Sequence, residues 1–414
     1  MKHCIIIGGG IIGLSSAYYL QKEGHQVTVI DQSNMDAGAS YVNAGYISPS
    51  HIIPLSAPGV MKKGLKWMFN SASPLYIKPR LDVDFIKWTW TFNKSCNAKH
   101  VQKSIPVIKD IALLSQELYE EIYASKDFTS HYEKKGLLML CQTEKMLEHE
   151  IEIGRLAKQE GMDVVELNKN ELKALEPNVQ LVAIGATYFK CDSHSTPDEF
   201  MQNMKAHLKN VGVQFYSNET VEDLSVGNGK ITGIKTNKQT LKADEFVLAA
   251  GSWSPLLSKK IGLELLLQAG KGYRINSTQE MGITLPAILV ESKVAVTPMN
   301  GFTRFAGTME IAGINHNIRK ERVDAISNAV TRYYPEIKVS QEEKNQAACG
   351  LRPVSPDGLP YIGKSSKCDN LTIATGHAMM GWSMGPATGK LVSEIISNKK
   401  LSMNLESFHP DRKF

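Results

Sequence analysis

The chain has 414 residues, 42% of them hydrophobic and 21% charged, with a formal net charge of +5. That length supports two or three buried cores at about 150 residues each, and the composition is that of an ordinary globular protein. The weak, dispersed positive charge offers no basic stripe for nucleic acid, and no apolar stretch approaches the roughly 20 residues that span a bilayer.

Six cysteines, Cys4, Cys96, Cys141, Cys191, Cys349 and Cys368, are scattered without a Cys-x-x-Cys spacing. This argues against a zinc or iron–sulfur site, so no metal is expected, and it fits a reducing compartment. Met1-Lys2-His3 runs straight into the first strand and leaves no room for a signal peptide, so a cytoplasmic location is expected.

Cys4-Ile5-Ile6-Ile7 reads as a buried parallel strand, followed at once by Gly8-Gly9-Gly10-Ile11-Ile12-Gly13 and a helical stretch from Leu14 to Glu23. In that context the glycines form a dinucleotide fingerprint. Gly8 allows the tight turn, Gly10 a close approach to a pyrophosphate, and Gly13 close packing of helix on strand. The diphosphate would sit on the free N–H groups of the helix start. The next strand, Gln26 to Ile30, ends in Asp31, about 20 residues past the glycines, where a ribose hydroxyl is expected. The small residues of Gly38-Ala39-Ser40-Tyr41-Val42-Asn43-Ala44-Gly45 form a candidate bed for a flat redox ring.

Residues 51 to 92 are rich in Pro, Lys and aromatics, including Met61 to Phe69 and Phe85 to Trp90. They read either as a surface that rests peripherally on a membrane or, in better agreement with their makeup, as core aromatics with solvated lysines. Ile105 to Ser125 has the apolar stripe of a long amphipathic helix. Strands are expected at Leu137 to Leu140 and Leu181 to Lys190, and helices at Lys145 to Gly161 and from Ser195 to Asn210. Strands Val213 to Tyr216 and Thr220 to Ser225 follow, then a hairpin turn at Gly227-Asn228-Gly229. Phe246 to Ala250 is an apolar strand that stops abruptly at Gly251-Ser252-Trp253, as a strand abutting a cofactor should.

From about 262 to 345 strand-like pieces alternate, with one helix at Glu321 to Tyr334, and suggest an antiparallel sheet in a second domain. The last section returns to glycine-rich sequence: Gly350-Leu351-Arg352-Pro353, Asp357 to Gly363, the strand Leu371 to Ala374, and Gly376-His377 through Gly381-Trp382-Ser383-Met384. The fold expected is therefore α/β: a Rossmann-like nucleotide domain, discontinuous in sequence (1–130, 187–260 and 346–414), with an α+β, antiparallel or mixed-sheet substrate domain (131–186 and 261–345). Only one fingerprint is present, which favours one tightly held dinucleotide, FAD, over NAD.

In its motifs the whole chain resembles the glycine oxidase and D-amino-acid dehydrogenase family of FAD-dependent amine oxidoreductases. The residues that carry the likeness are Gly8 to Gly13, Ser40 to Gly45, Ala250 to Trp253, Gly350 to Gly358, Gly376-His377 with Gly381-Trp382, and Phe408 to Phe414; Ala57 to Phe69 is most similar to the bacterial D-amino-acid dehydrogenases. The resemblance implies that Gly8, Gly10, Ile11, Ile12 and Gly13 hold the pyrophosphate, Asp31 with Gln32 the adenosine ribose, and Val221 the adenine through its backbone. It also implies that Ser40, Asn43, Ala44, Gly45, Ala250, Gly251 and Trp253, with Gly376, His377, Met380, Gly381, Trp382, Ser383 and Met384, enclose the flavin.

Oxidising an amine beside a carboxylate moves a hydride from Cα to flavin N5, so the protein has mainly to orient the substrate and exclude water. A carboxylate is best clamped by a planar guanidinium. Arg352 is the candidate, and the resemblance places the carboxylate-binding arginine there; the alternative is a structural ion pair with an acid such as Asp357. Tyr273 could add a hydrogen bond or simply pack. His51 and His194 could line the pocket, and His377 is expected to hydrogen-bond the flavin in preference to acting as a base. Met379 and Met380 stand where glycine oxidase-like relatives carry polar residues, which suggests an apolar pocket mouth and disfavours glycine.

The expected reaction is oxidative deamination of a D-amino acid, or of a cyclic secondary amino acid such as D-proline or a hydroxyproline, with a quinone or O2 as electron acceptor. The imino product would hydrolyse to a 2-oxo acid and ammonia or ring-open. Alternatives are an N-methyl amino-acid (sarcosine-like) or glycine oxidase, and a non-catalytic flavoprotein subunit of an electron-transfer complex.

Overall fold

The computed structural model describes residues 1–61, 73–125 and 128–414. Its nucleotide half is a six-stranded sheet in the order Gln214–Tyr216, Gln26–Ile30, His3–Ile7, Glu245–Leu248, Leu371–Thr375 and Tyr361–Lys364. The first five strands are parallel and the last is antiparallel. His3–Ile7 is central, and Cys4, Ile5 and Ile6 are fully buried, as a strand covered on both faces requires. The helices Ile11–Lys22 and Gly385–Ile396 pack together on the sheet, so the first and last parts of the chain share one core. The turn at Asn228 and Gly229, both at positive φ, joins Val221–Gly227 to Lys230–Thr236 as expected.

The second half is a nine-stranded sheet that runs Ala348–Val354, Gln268–Ser277, Phe302–Ile311, Val294–Met299, Ala287–Leu289, Leu137–Cys141, Gly185–Phe189 and Val164–Asn168, with Leu75–Ile77 paired to Phe302–Ile311. It is mixed: Ala287–Leu289 pairs parallel with Leu137–Cys141, and Leu75–Ile77 parallel with Phe302–Ile311. The helix Lys320–Tyr333 covers one face. Between the halves lies a small sheet of Tyr46–Ile47, Ser193–Ser195 and Tyr132–Glu133.

Several boundaries differ from expectation. The expected division at 346 separates Ala348–Val354 from the sheet on which it lies; Gly350 and Pro353 suggest a loop, but a seven-residue ladder from Gln268↔Val354 to Arg274↔Ala348 overrides local propensity. The expected division at 187 falls inside Gly185–Phe189. The stretch Ser40 to Gly45 is not a bare loop but a helical turn, Ala39–Val42, leading towards Tyr46–Ile47.

The long helix begins earlier than expected, at Ala98, and runs to Ala124 with Pro106 inside it. Its buried stripe is nevertheless the predicted one, Ile108, Ile111, Ala112, Ser115, Leu118, Tyr119 and Ile122. In Val83–Ser95 the aromatics divide. Phe85, Trp88 and Phe92 are core, whereas Trp90 is 64% exposed beside Ile86 and Val83. The expectation for 62–69 lies outside the described residues. Among the described residues no helix is long and apolar enough to cross a membrane.

Candidate active site

One cavity of about 470 Å³ runs from the Gly8–Gly10 turn to Arg352, along the carboxyl edge of the parallel sheet. At its nucleotide end the wall is largely backbone. The helix Ile11–Lys22 has Gly10 as its N-cap with no capping side chain of its own, so beyond Ile11 N its dipole end is open to an anion. Gly8 sits at φ +111°, and a Cβ on Gly13 would lie 1.8 Å from the Gly8 carbonyl oxygen. No side chain fits at Gly13 without breaking the turn.

Asp31 reaches back into this turn. Its Oδ2 accepts from Gly9 N at 2.7 Å, and its Oδ1 accepts from Ser33 N and Oγ at 2.8 and 2.7 Å. Ser40 Oγ accepts from Ile11 N at 2.9 Å, which joins the Ala39–Val42 turn to the helix start. Gln32, Asn43, Val221, Ala250, Gly251 and Trp253 also line the cavity.

At the far end Arg352 lines the wall, its Nη1 donating to the Thr308 carbonyl at 3.0 Å. Burial alone pushes its pKa down, to about 10, and it has no carboxylate partner among the described residues. The alternative pairing with Asp357 does not form. Asp357 is taken by Arg412, Nε to Oδ2 at 2.7 Å and Nη2 to Oδ1 at 2.9 Å. The guanidinium of Arg352 lies flat over Gly272, where an added Cβ would be 2.3 Å from Cζ and both terminal nitrogens.

His377 lines the wall between the two ends. The Thr388 hydroxyl donates to Met384 O at 2.8 Å, and therefore accepts from His377 Nε2, 2.9 Å away. This assigns the Nε2–H tautomer and leaves Nδ1 a buried acceptor without a partner among the described residues. Burial lowers the pKa of His377 to about 3, so the ring is neutral. Gly381 and Trp382 complete this wall, and Trp382 Nε1 donates to Ser195 Oγ at 3.2 Å.

Other predicted residues are not brought to the cavity. Tyr273 follows Gly272 on one strand, and successive strand residues face opposite ways. It is buried in the core under Lys320–Tyr333, its hydroxyl donating to Glu310 Oε2 at 2.7 Å. His51 stands instead beside Ser50 and Asp192, and His194 is enclosed in the small sheet. Ala44 and Gly45 are held against the second half by Thr297 Oγ1, which donates to Ala44 O, and by Ser195 N, which donates to Gly45 O. Gly376 packs on the Tyr361 ring, and Ser383 Oγ bridges Tyr46 O and Ser48 N. Met380 and Met384 pack in the core of the nucleotide half, behind the wall, as Gly13 does behind the turn.

Sequence reasoning missed Gly272, Thr308, Glu219 and His316. His316 lines the cavity and stacks on Trp253 with ring centroids 6.0 Å apart. It missed Arg304 as well, a fully buried guanidinium that donates to the carbonyls of Tyr41 and Asn43 and pairs with Asp198 at 3.2 Å. A lone arginine between Phe302 and Phe305 was the available signal for it.

Known proteins match along the whole length. The family described as DAO, FAD dependent oxidoreductase, matches residues 3–395. The chain is 32% identical over 409 residues to a D-amino acid dehydrogenase of Vibrio atlanticus, covering 95% of each, and 31% identical over 397 residues to one of Helicobacter pylori, covering 95% of this chain and 94% of the relative. Among solved structures, glycine oxidase from Geobacillus kaustophilus superposes with a TM-score of 0.79 at 21% identity, over 100% of both chains. L-proline dehydrogenase from P. horikoshii gives 0.74 at 19% identity, over 99% of this chain and 96% of its own. With a glycine-built turn, an exposed helix dipole end, a half-buried carboxylate and an imidazole acceptor without a partner among the described residues along one cavity, the residues present fit FAD, and the chain belongs to the family of FAD-dependent oxidoreductases.

Proposed function

We propose that this protein oxidises the Cα–N bond of a D-amino acid, or of a cyclic secondary amino acid such as D-proline or a hydroxyproline. The imino acid formed then hydrolyses to a 2-oxo acid and ammonia or ring-opens. The observation that carries this reading is Arg352: a cavity-wall guanidinium, with no carboxylate partner among the described residues, held flat by Gly272. The names of the D-amino acid dehydrogenases it resembles support the substrate class.

Bound FAD would supply the acceptor for the hydride that leaves Cα. The chain's own residues do the positioning. Gly8, Gly10 and Gly13 and the open helix start would hold the pyrophosphate, Asp31 and Gln32 the ribose, and the Val221 backbone the adenine. Ser40, Asn43, Ala250, Gly251, Trp253, Gly381 and Trp382 would enclose the flavin, with Nδ1 of His377 offering it an acceptor. Arg352 would clamp the substrate carboxylate through two parallel hydrogen bonds, and the Thr308 carbonyl fixes the guanidinium plane. No side-chain base is needed, because the substrate ammonium can lose its proton to water before the hydride leaves. Met379, 54% exposed, gives the mouth an apolar lip that suits a side chain larger than hydrogen.

An anaerobic screen of flavin bleaching by D- and L-amino acids, hydroxyprolines and N-methyl amino acids tests this reading. Rapid bleaching by D-amino acids or cyclic secondary amino acids is expected. Bleaching by N-methylglycine alone, with formaldehyde formed, would make the protein a sarcosine-like oxidase, and no bleaching by any of them a non-catalytic flavoprotein. Turnover with a quinone analogue, without peroxide release in air, is the expected acceptor behaviour; copious peroxide would make it an oxidase.

A further inference from the structure

Away from the cavity, three side chains with metal-binding atoms converge on the small sheet between the two halves. Glu133 and His194 are directly opposite partners on the antiparallel strands Tyr132–Glu133 and Ser193–Ser195, and His131 precedes the first of these. His194 Nε2 lies 3.4 Å from Glu133 Oε2, and His131 Nε2 lies 3.5 Å from the same oxygen. One ligand atom from each residue falls within 4.8 Å of the other two.

These separations are long for hydrogen bonds, which for N–H···O cluster at about 2.7–3.2 Å. The two nitrogen–oxygen separations match a different geometry, with the third edge within 4.8 Å. Four-coordinate zinc, with bonds of about 2.0–2.1 Å, holds neighbouring ligand atoms roughly 3.3–3.4 Å apart along the tetrahedron's edge. An octahedral magnesium ion with bonds of the same length would draw them to about 2.9 Å.

A second observation points the same way. His194 is completely buried, the Pro298 carbonyl is the backbone partner beside its ring, and Nε2 faces Glu133. A backbone carbonyl beside the ring orients an imidazole for metal binding, and a cation between Nε2 and the Glu133 carboxylate would complete the ring's partners. His131 is already oriented for the same task, since its Nδ1 lies 3.0 Å from Thr196 Oγ1 and directs Nε2 at Glu133.

We infer that His131, Glu133 and His194 form a site for one divalent transition-metal ion, with zinc as the best match, whose fourth position is open to water. Two imidazoles and one carboxylate are a nitrogen-rich set that suits zinc and not calcium or magnesium, which prefer oxygen ligands. The side chains of His131 and Glu133 are 19% and 33% exposed, so an ion has a path from solvent. The local competitor is Lys135, whose Nζ lies 3.0 Å from Glu133 Oε2. Its side chain is 42% exposed and can swing into water when the ion enters.

The ion would brace the seam between the halves. It would tie Tyr132–Glu133 to Ser193–Ser195, and Ser195 Oγ accepts from Trp382 in the cavity wall at 3.2 Å. Its effect should therefore fall on stability before turnover.

The test is zinc titration of the tag-free, FAD-loaded protein after dialysis against a chelator, read by calorimetry, elemental analysis and thermal melting. The expected result is one tightly bound zinc per chain and a higher Tm, with binding weakened at least tenfold in both Glu133→Gln and His131→Gln. Those two positions are partly exposed, and an unchanged flavin spectrum shows that the variants fold. Cobalt in place of zinc should give visible bands of tetrahedral intensity that both variants lose. No stoichiometric zinc uptake by the unmodified chain, or uptake that is the same in both variants, would overturn the inference whatever the substrate proves to be.

Discussion

The two ends of the cavity are built by opposite means. At the nucleotide end the wall is largely backbone: Gly8 to Gly13, a helix start and a single carboxylate, all within the first 31 residues. At the far end the wall presents one cationic side chain, Arg352, fixed by Thr308 and Gly272 on two other strands. Backbone recognition tolerates no added atom but asks little of distant residues. Side-chain recognition depends on long-range register. The same contrast separates two arginines: Arg412 is spent on Asp357, and Arg352 is left without an acidic partner among the described residues.

Substitutions can break this contrast one end at a time. Gly13→Val should act most strongly, because its side chain collides with the Gly8 carbonyl; the protein is expected to purify without flavin, judged by visible absorbance. Arg352→Ala should keep its flavin and lose roughly 10²–10³-fold in kcat/KM for carboxylate substrates, the scale for truncating one partner of a buried charge pair. Arg412→Ala should do the reverse. Removing one member of the largely buried pair with Asp357 should cost about 3 kcal/mol or more in unfolding stability, while KM barely moves.

Gly272→Ala should be milder, since the guanidinium can shift; about a tenfold rise in KM with little change in flavin content is expected. Asp192→Asn should leave both ends alone and alter only the pH dependence of Tm. Burial raises the Asp192 carboxyl to about 7, far above its unfolded value. The folded state therefore holds this proton more tightly, and the stability it contributes at low pH is lost as pH rises from about 4 to about 7. The Asn variant should gain on the unmodified chain across that window by a few degrees, and a difference in Tm that does not change with pH would show that Asp192 is not the group responsible.

The nucleotide end was legible because its signals are local. Strand, glycine turn, helix and acid follow one another within 31 residues, and each has a steric or electrostatic reason. The Gly227-Asn228-Gly229 turn and the helix stripe from Ile108 to Ile122 were legible for the same reason. Arg352 could be chosen by chemistry, but its freedom could not, since that depends on Arg412 lying 55 residues past Asp357 and capturing it. Gly272 could not be foreseen either: only the ladder that sets Gly270 opposite Arg352 and Gly272 opposite Gly350 lays the guanidinium over it. Tyr273 failed by parity, one residue along the same strand. His131, Glu133 and His194 were invisible as a cluster because a single antiparallel pairing brings together positions about sixty residues apart in sequence.

The central claim is that Arg352 reads the substrate carboxylate. The most direct measurement compares anaerobic flavin reduction by a D-amino acid with reduction by the same amine lacking its carboxylate, in the unmodified chain and in Arg352→Ala. The carboxylate should confer a large rate advantage at low substrate concentration in the first protein and almost none in the second. An advantage of equal size in both would contradict the claim and place the clamp elsewhere.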